Sequence, residues 1–170
     1  MKKKAQIAGQ IFIWILAIFI LAIIVFYGYK AISSFMQRGE EVSFIQFKNT
    51  LESEVTRLST QIGDVVVFND RNPLNVPGKY KMVCFVSGDA YTTNVPSELS
   101  ENLRKVITAA IEEGIITDTE NVFLEPLAPS PIYVGNIEIE GGILCMEVVK
   151  GRIDIRLTGR GGATRIERVE

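Results

Sequence analysis

The stretch that most constrains the fold is IFIWILAIFILAIIVFYGY, residues Ile11–Tyr29. Between Lys4 and Lys30 no residue is charged. A helix rises about 1.5 Å per residue, so a segment of this length crosses the roughly 30 Å of hydrocarbon in a bilayer. The alternative is a buried core helix, but such helices seldom run this far without a polar face. We therefore predict a transmembrane helix over residues 6–30.

Positive charge lies mainly before this apolar segment. Lys2, Lys3 and Lys4 precede it, whereas only Lys30 and Arg38 follow it closely. Basic flanks remain on the cytoplasmic side of a membrane. We therefore expect a single-pass protein in the cell membrane, with its N-terminus in the cytoplasm and its C-terminal domain outside.

A cleavable signal peptide is another interpretation of the apolar segment. The tripeptide Ala31-Ile32-Ser33 has the small residues that signal peptidase prefers. The apolar region of such peptides spans roughly 7 to 15 residues, which is shorter than the region found here. Retention of the helix is therefore the better prediction.

The pattern of apolar residues changes from continuous to periodic beyond the predicted membrane segment. Over residues 31–62, apolar side chains recur every three or four positions, which predicts an amphipathic extension of the same helix. We expect this helix to end at Gly63 and to bend near Gly39. Its stripe can pack on the following domain or form a short coiled coil, and the two are compatible in a filament. The stripe comprises Phe44, Phe47, Leu51, Val55, Leu58 and Ile62.

Residues 63–170 alternate short β-branched runs with Gly, Pro and Asn clusters, as expected for a β-rich head domain. We predict strands at 64–68, 80–87 and 121–125, and three more near the C-terminus. One helix, with Ser97 as N-cap and Gly114 as its stop, should pack on the sheet. The expected fold class is therefore α+β, with an antiparallel meander, one packed helix and an exposed loop at 69–81.

Two tight turns near the C-terminus suggest a strand register. Gly141-Gly142 and Lys150-Gly151 each separate segments of alternating character, as in two-residue hairpins. This register predicts one apolar face and one charged face. The predicted cross-strand pairs are Ile137 with Met146, Ile139 with Leu144, Met146 with Ile155, and Val148 with Ile153. The charged face would then hold Glu138, Glu140, Glu147, Arg152, Asp154 and Arg156.

The chain has two cysteines, Cys84 and Cys145. The predicted register places Cys145 on the charged face, where a lone thiol has no evident role. A disulfide between the two would persist outside the cytoplasm and would stabilise the head by roughly 4 kcal/mol in the chain-entropy model. Two free thiols on neighbouring strands are the alternative.

Composition argues against several classes of function. The net charge is −2, so no large field favours nucleic acid, and the chain lacks histidine, which excludes His-based catalysis and His-ligated metals. The pair Glu138 and Glu140 is better explained as the solvated side of a strand than as a glycosidase site. Asp64, Asp70 and Asp89 lack EF-hand spacing. We expect no enzymatic activity, no catalytic or metal site, and no cofactor.

The N-terminal sequence KKKAQIAGQIF resembles the class III signal peptide of type IV pilins and archaellins, particularly archaeal ones. In that family a membrane-embedded prepilin-type peptidase cuts between the basic and apolar regions. The resemblance implies cleavage between Ala5 and Gln6, with Lys3 and Lys4 as the basic flank and residues 1–5 as the leader. Ala5 departs from the family, which usually has glycine at that position.

The resemblance extends to the general plan of a long N-terminal helix carrying a β-rich head. At the fifth mature position Gln10 replaces the glutamate of many members, whose charge is thought to meet a neighbour's new N-terminus. The resemblance implies a major or minor structural subunit of an archaeal type IV pilus-like surface filament or a related machine, with the membrane, the peptidase and other copies or related pilins as partners. The alternative is an uncleaved membrane anchor for an extracytoplasmic binding domain.

Overall fold

A computed structural model describes the chain over residues 3–169, and its side chains over residues 12–32 and 39–169. The first helix, α1, spans Lys3–Ser59 and passes through Gly39. The chain divides into two compact units, Met1–Glu41 and Val42–Glu170. Each is described by itself.

The first unit is part of α1 and contains a membrane-length apolar segment. Phe12–Ile32 is 21 residues long and apolar enough to cross a membrane, and none of it is buried within the protein. The predicted apolar helix is therefore present, and its side chains have no protein core to cover them.

The second unit begins with the amphipathic end of α1. The predicted stripe is buried from Phe44 to Leu58. Ile62 is an exception, because it is 83% exposed. The helix ends at Ser59, before the predicted end at residue 62, and the chain starts a strand at Ile62. Gly63 has the expected positive φ of 83°, but it lies in that strand.

Within the described residues, nine strands and a second helix follow α1. The head domain also contains two short 3-10 helices, Thr92–Asn94 and Ile115–Thr117. The strands are β1 (Ile62–Phe68), β2 (Leu74–Asn75), β3 (Met82–Val86), β4 (Val122–Glu125), β5 (Ile137–Glu138), β6 (Ile143–Glu147), β7 (Arg152–Ile153), β8 (Ile155–Arg160) and β9 (Thr164–Arg168), and helix α2 spans Glu101–Glu112.

The strands form three sheets. The four-stranded sheet has the order β1-β8-β9-β5, the three-stranded sheet has the order β4-β3-β6, and β2 pairs with β7. All pairs are antiparallel except β5 with β9. The antiparallel-rich α+β class is thus confirmed.

The larger hydrophobic core lies between the two main sheets and the end of α1. Leu157 of β8 and Val55 of α1 belong to it, together with Val83 and Phe85 of β3. A second core lies on the other face of the three-stranded sheet and includes Cys84 and α2 residues. Because β3 alternates between the two cores, the three-stranded sheet is buried on both faces.

The predicted meander of the last strands is wrong in its pairing. Met146 pairs with Val83, and Ile153 pairs with Leu74, so neither strand forms the predicted hairpin. The turn at Lys150-Gly151 does form, since Val149 and Arg152 exchange backbone hydrogen bonds of 3.0 and 3.2 Å. A tight turn fixes only the residues beside it, whereas burial of the strands selects more distant partners.

Helix α2 packs with its apolar stripe on the three-stranded sheet, as predicted. Leu103 and Ile107 are buried against this sheet. The N-cap is Ser100 rather than Ser97, because the Ser100 hydroxyl accepts a hydrogen bond from the Leu103 backbone N–H at 3.4 Å. Gly114 has a φ of 70°, as expected of a residue that ends a helix.

The segment at 69–81 is only partly the exposed loop that the sequence predicts. Leu74, Val76 and Tyr80 are buried in the larger core. Between them, Gly78 and Lys79 are exposed. The segment is therefore held to the domain by its apolar residues, with β2 paired to β7.

Candidate functional site

Cys84 and Cys145 form a disulfide, with an S–S distance of 2.04 Å. They lie directly opposite each other on β3 and β6, with their Cα atoms 4.0 Å apart. The predicted charged environment of Cys145 is wrong. Cys145 is half-buried and packs against the second core, because β6 pairs with β3 and α2 packs on that face of the sheet. The bond links the two strands under the helix.

The residues of the predicted processing site lie at the start of α1. Lys3, Lys4, Ala5 and Gln6 belong to the helix, as does Gln10. Their side chains are outside the described part of the chain, so cleavage between Ala5 and Gln6 and the assembly role of Gln10 stay predictions.

An open cavity of about 680 Å³ lies at the edge of the four-stranded sheet. Asp89, Glu138, Glu140 and Arg165 are its charged lining residues. Arg165 Nη2 lies 3.0 Å from Glu140 Oε2, and Arg165 Nε lies 2.8 Å from Glu167 Oε1. Carboxylates therefore neutralise the arginine, which leaves the cavity with an acidic character.

The acidic lining has no metal-binding arrangement. Among the described side chains, no group of three or more His, Cys, Asp or Glu residues is close enough to hold an ion. Asp89 accepts a hydrogen bond from the Ser87 hydroxyl, and Asp70 forms an ion pair with Arg152. These aspartates therefore have structural partners within the head domain.

The Gly141-Gly142 turn is fixed to the segment that follows β3. Ser87 donates its backbone N–H to the Gly142 carbonyl at 2.9 Å, and Asn94 Nδ2 donates to the Gly141 carbonyl at 2.7 Å. A Cβ on Gly142 would lie 2.8 Å from Ala90 Cα, so only glycine fits there. This close packing explains the choice of glycine better than the predicted two-residue hairpin does.

A groove of about 530 Å³ lies beside the start of α2. Leu103 and Leu124 line its apolar part, and Leu127 contributes a half-exposed side chain. Lys79 and Lys81 are exposed residues that also line the groove. Glu125 lines the groove as well, so its charged residues are two lysines and one glutamate beside an apolar floor.

A carboxyl group beside β4 has an altered titration. Burial raises the pKa of the Glu120 carboxyl above its usual value, while a hydrogen bond with the Ile132 backbone acts in the opposite direction.

The next residue, Asn121, is buried and joins two backbone groups of the 126–136 segment. Its Nδ2 donates to the Gly135 carbonyl at 2.7 Å, and its Oδ1 accepts from the Val134 N–H at 3.0 Å.

Sequence reasoning does not single out the groove or the acidic cavity. The groove is built from residues 79–81, 100–103 and 124–127, which are far apart in the chain. The lysines at 79 and 81 are visible in the sequence, but their position beside Leu103 and Leu124 depends on strand pairing.

Comparison with known proteins identifies no relative. No family model, curated protein or solved structure matches this chain.

Proposed function

We propose that the chain is a structural subunit of a surface filament of the archaeal type IV pilus kind, held by its N-terminal helix in the membrane before assembly. The observation that carries the proposal is the division of α1. The helix has an exposed apolar segment of membrane length at Phe12–Ile32 and a buried stripe from Phe44 to Leu58.

The apolar segment suits such a subunit both in the membrane and in the assembled filament. In lipid its side chains face hydrocarbon, and in a filament they can bury one another. Removal of Lys2, Lys3 and Lys4 by a peptidase would take away the charges that hold the helix at the cytoplasmic surface. The same side chains would then serve first as an anchor and later as the filament core.

The head domain supports a location outside the cytoplasm. Its disulfide between Cys84 and Cys145 is of a kind that persists in oxidising compartments and is rare in the cytosol. An extracytoplasmic head agrees with the cytoplasmic N-terminus that the basic flank predicts.

The test is intact mass and N-terminal sequencing of the protein from the membranes and sheared surface fraction of producing cells. We expect a chain that begins at Gln6. Ala5→Leu should block cleavage, because the resemblance implies that a small residue precedes the cut. The matched variant Ala8→Leu adds the same side chain three residues later and should be processed normally.

A chain that begins at Met1 and stays out of the sheared fraction would contradict the proposal. The second candidate would then apply: an uncleaved anchor for a binding domain. The groove beside α2 favours this candidate, because Lys79, Lys81 and Leu127 offer charge and apolar contact to a peptide. Loss of ligand binding on Lys79→Glu would support it.

A further inference from the structure

Charge is unevenly distributed along the head domain. Residues 106–149 contain eight acidic residues and no Lys or Arg, whereas residues 150–168 contain six basic and two acidic residues. The overall net charge of −2 conceals this separation. Oppositely charged segments attract each other between molecules if the fold exposes them on different surfaces.

The basic segment supplies part of the outer face of the four-stranded sheet, where Glu167 of β9 lies opposite Arg156 and pairs with Arg165. Arg156 and Arg160 alternate on β8 with the buried Leu157 and are exposed. Neither is in an ion pair with the described side chains. On the neighbouring strand, Ile62 pairs with Arg160 and is 83% exposed, and Val65 is 52% exposed. We call Ile62, Val65, Arg156 and Arg160 the arginine face.

The acidic segment includes the C-terminal end of α2. Glu112, Glu113 and Asp118 are exposed there. Ile111 and Ile115 lie beside them and are only partly buried. We call these five residues the acidic end of α2. Like the arginine face, it combines charge with accessible apolar surface.

The layers of the head domain separate these two surfaces. The inner side of the four-stranded sheet covers the larger core, and the three-stranded sheet closes that core from the opposite side. Helix α2 packs on the far face of the three-stranded sheet, beyond Cys84 and Val86. The arginine face and the acidic end of α2 therefore lie in different layers of the domain, and among the described side chains no ion pair joins them within one copy.

We propose that the arginine face of one copy binds the acidic end of α2 on a second copy. Their charges are complementary, and both surfaces add apolar side chains to the contact. The contact joins two different surfaces, so each bound pair leaves one arginine face and one acidic end free for further copies. Such heterologous contacts produce open chains unless their rotation closes a ring. The inference deepens the proposed filament function and rests on it for its biological setting.

The test uses the full-length chain in mild detergent and measures its oligomer mass by analytical ultracentrifugation. The arginine variant is Arg156→Glu with Arg160→Glu, and the acid variant is Glu112→Arg with Glu113→Arg. Each variant alone should weaken association about tenfold or more, because like charges then face each other. Raising the salt concentration to about 1 M should weaken association of the unaltered protein, because salt screens exposed charges.

Mixing the two variants gives the sharpest result. The unaltered acidic end of α2 on the arginine variant can bind the unaltered arginine face of the acid variant. The arginine face that now carries glutamates can likewise bind the end of α2 that now carries arginines. An equimolar mixture should therefore regain association that neither variant shows alone. Lys79→Glu with Lys81→Glu makes the same kind of charge reversal as the arginine variant outside the two surfaces and should leave association unchanged.

Two results would overturn the inference: association of the single variants at the level of the unaltered protein, or no recovery in the mixture. Circular dichroism of each variant shows whether its fold is intact. The acid variant should fold, because positive charge at the C-terminal end of α2 interacts favourably with the helix dipole. The proposed function is tested separately, by the N-terminal sequence of the mature chain. An unprocessed chain that still associates through these charges would contradict the filament function and support the contact.

Discussion

The two main sheets of the head domain differ in how many of their faces are covered. The three-stranded sheet lies between two cores, and the described residues of β3 are almost all buried. The four-stranded sheet is covered on one face, and β8 alternates buried with exposed or half-buried residues. The doubly covered sheet therefore provides the rigid centre of the head, while the singly covered sheet retains a face for contact with other molecules.

One of the two largest expected effects tests the covered side of the four-stranded sheet. Gly159 of β8 packs so closely on the end of α1 that a Cβ would overlap the carbonyl oxygens of Leu58 and Gln61. We expect Gly159→Ala to destabilise the head by about 3 kcal/mol or more, because overpacking forces the backbone to move. Urea unfolding followed by circular dichroism measures this.

The control for this change is Gly78→Ala. A Cβ added to Gly78 would have no atom within 4 Å, and the residue has no positive φ, so alanine should be tolerated there. Equal stability of the two variants would show that α1 does not press on the sheet as described.

The next prediction compares a large and a small loss of stability, one on each of the two main sheets. Phe123 of β4 is 1% exposed and packs beneath α2, so Phe123→Ala should cost about 3–5 kcal/mol. Val65→Ala on the outer face of β1 should change stability by less than about 0.5 kcal/mol. Chemical denaturation of both variants measures the difference in stability loss. A loss at Phe123→Ala as small as that at Val65→Ala would contradict the prediction.

Removal of the disulfide should have an intermediate effect. Cys84→Ala with Cys145→Ala opens a link between residues 61 positions apart, and we expect a loss of about 2–4 kcal/mol. The doubly covered sheet should remain folded, because the other apolar side chains of both cores stay in place. Thermal unfolding with and without reductant measures the loss. Equal melting temperatures of the unaltered protein and the double variant without reductant would contradict this explanation.

The smallest effect concerns the carboxyl group at the margin of the doubly covered sheet. Burial raises the pKa of Glu120, so ionisation of this group opposes folding at neutral pH. Glu120→Gln should therefore raise stability at neutral pH. The advantage should diminish as the pH falls through the raised pKa towards the usual value of 4.5, because glutamate is then neutral in both states.

Measurement of unfolding from about pH 4 to about pH 8 tests this pH dependence. Asp118→Asn is the matched control, because it removes a nearby exposed carboxylate without this burial. An advantage of Glu120→Gln that is the same at every pH would show that the charge is not its cause.

The position of Cys145 shows where local pattern stops being informative. Alternation over residues 137–156 identifies the apolar face, since Ile139, Met146 and Ile155 are buried, although Leu144 and Val148 of the same predicted face are only half-buried. It also predicts that the residues between them face water. That inference fails for Cys145, because β6 pairs with β3 and α2 covers the side that alternation leaves open. A second covering layer comes from a distant part of the chain and leaves little trace in the strand itself.

Local sequence is sufficient to define the apolar membrane-length segment, the buried stripe of α1, the stripe of α2, and the faces of most late strands. Each of these depends on residues that are neighbours along a helix or a strand. Tertiary packing was needed to place Met146 beside Val83 and Cys84 opposite Cys145. A strand satisfies its backbone hydrogen bonds equally well with several partners, and the choice among them follows from burial over the whole domain.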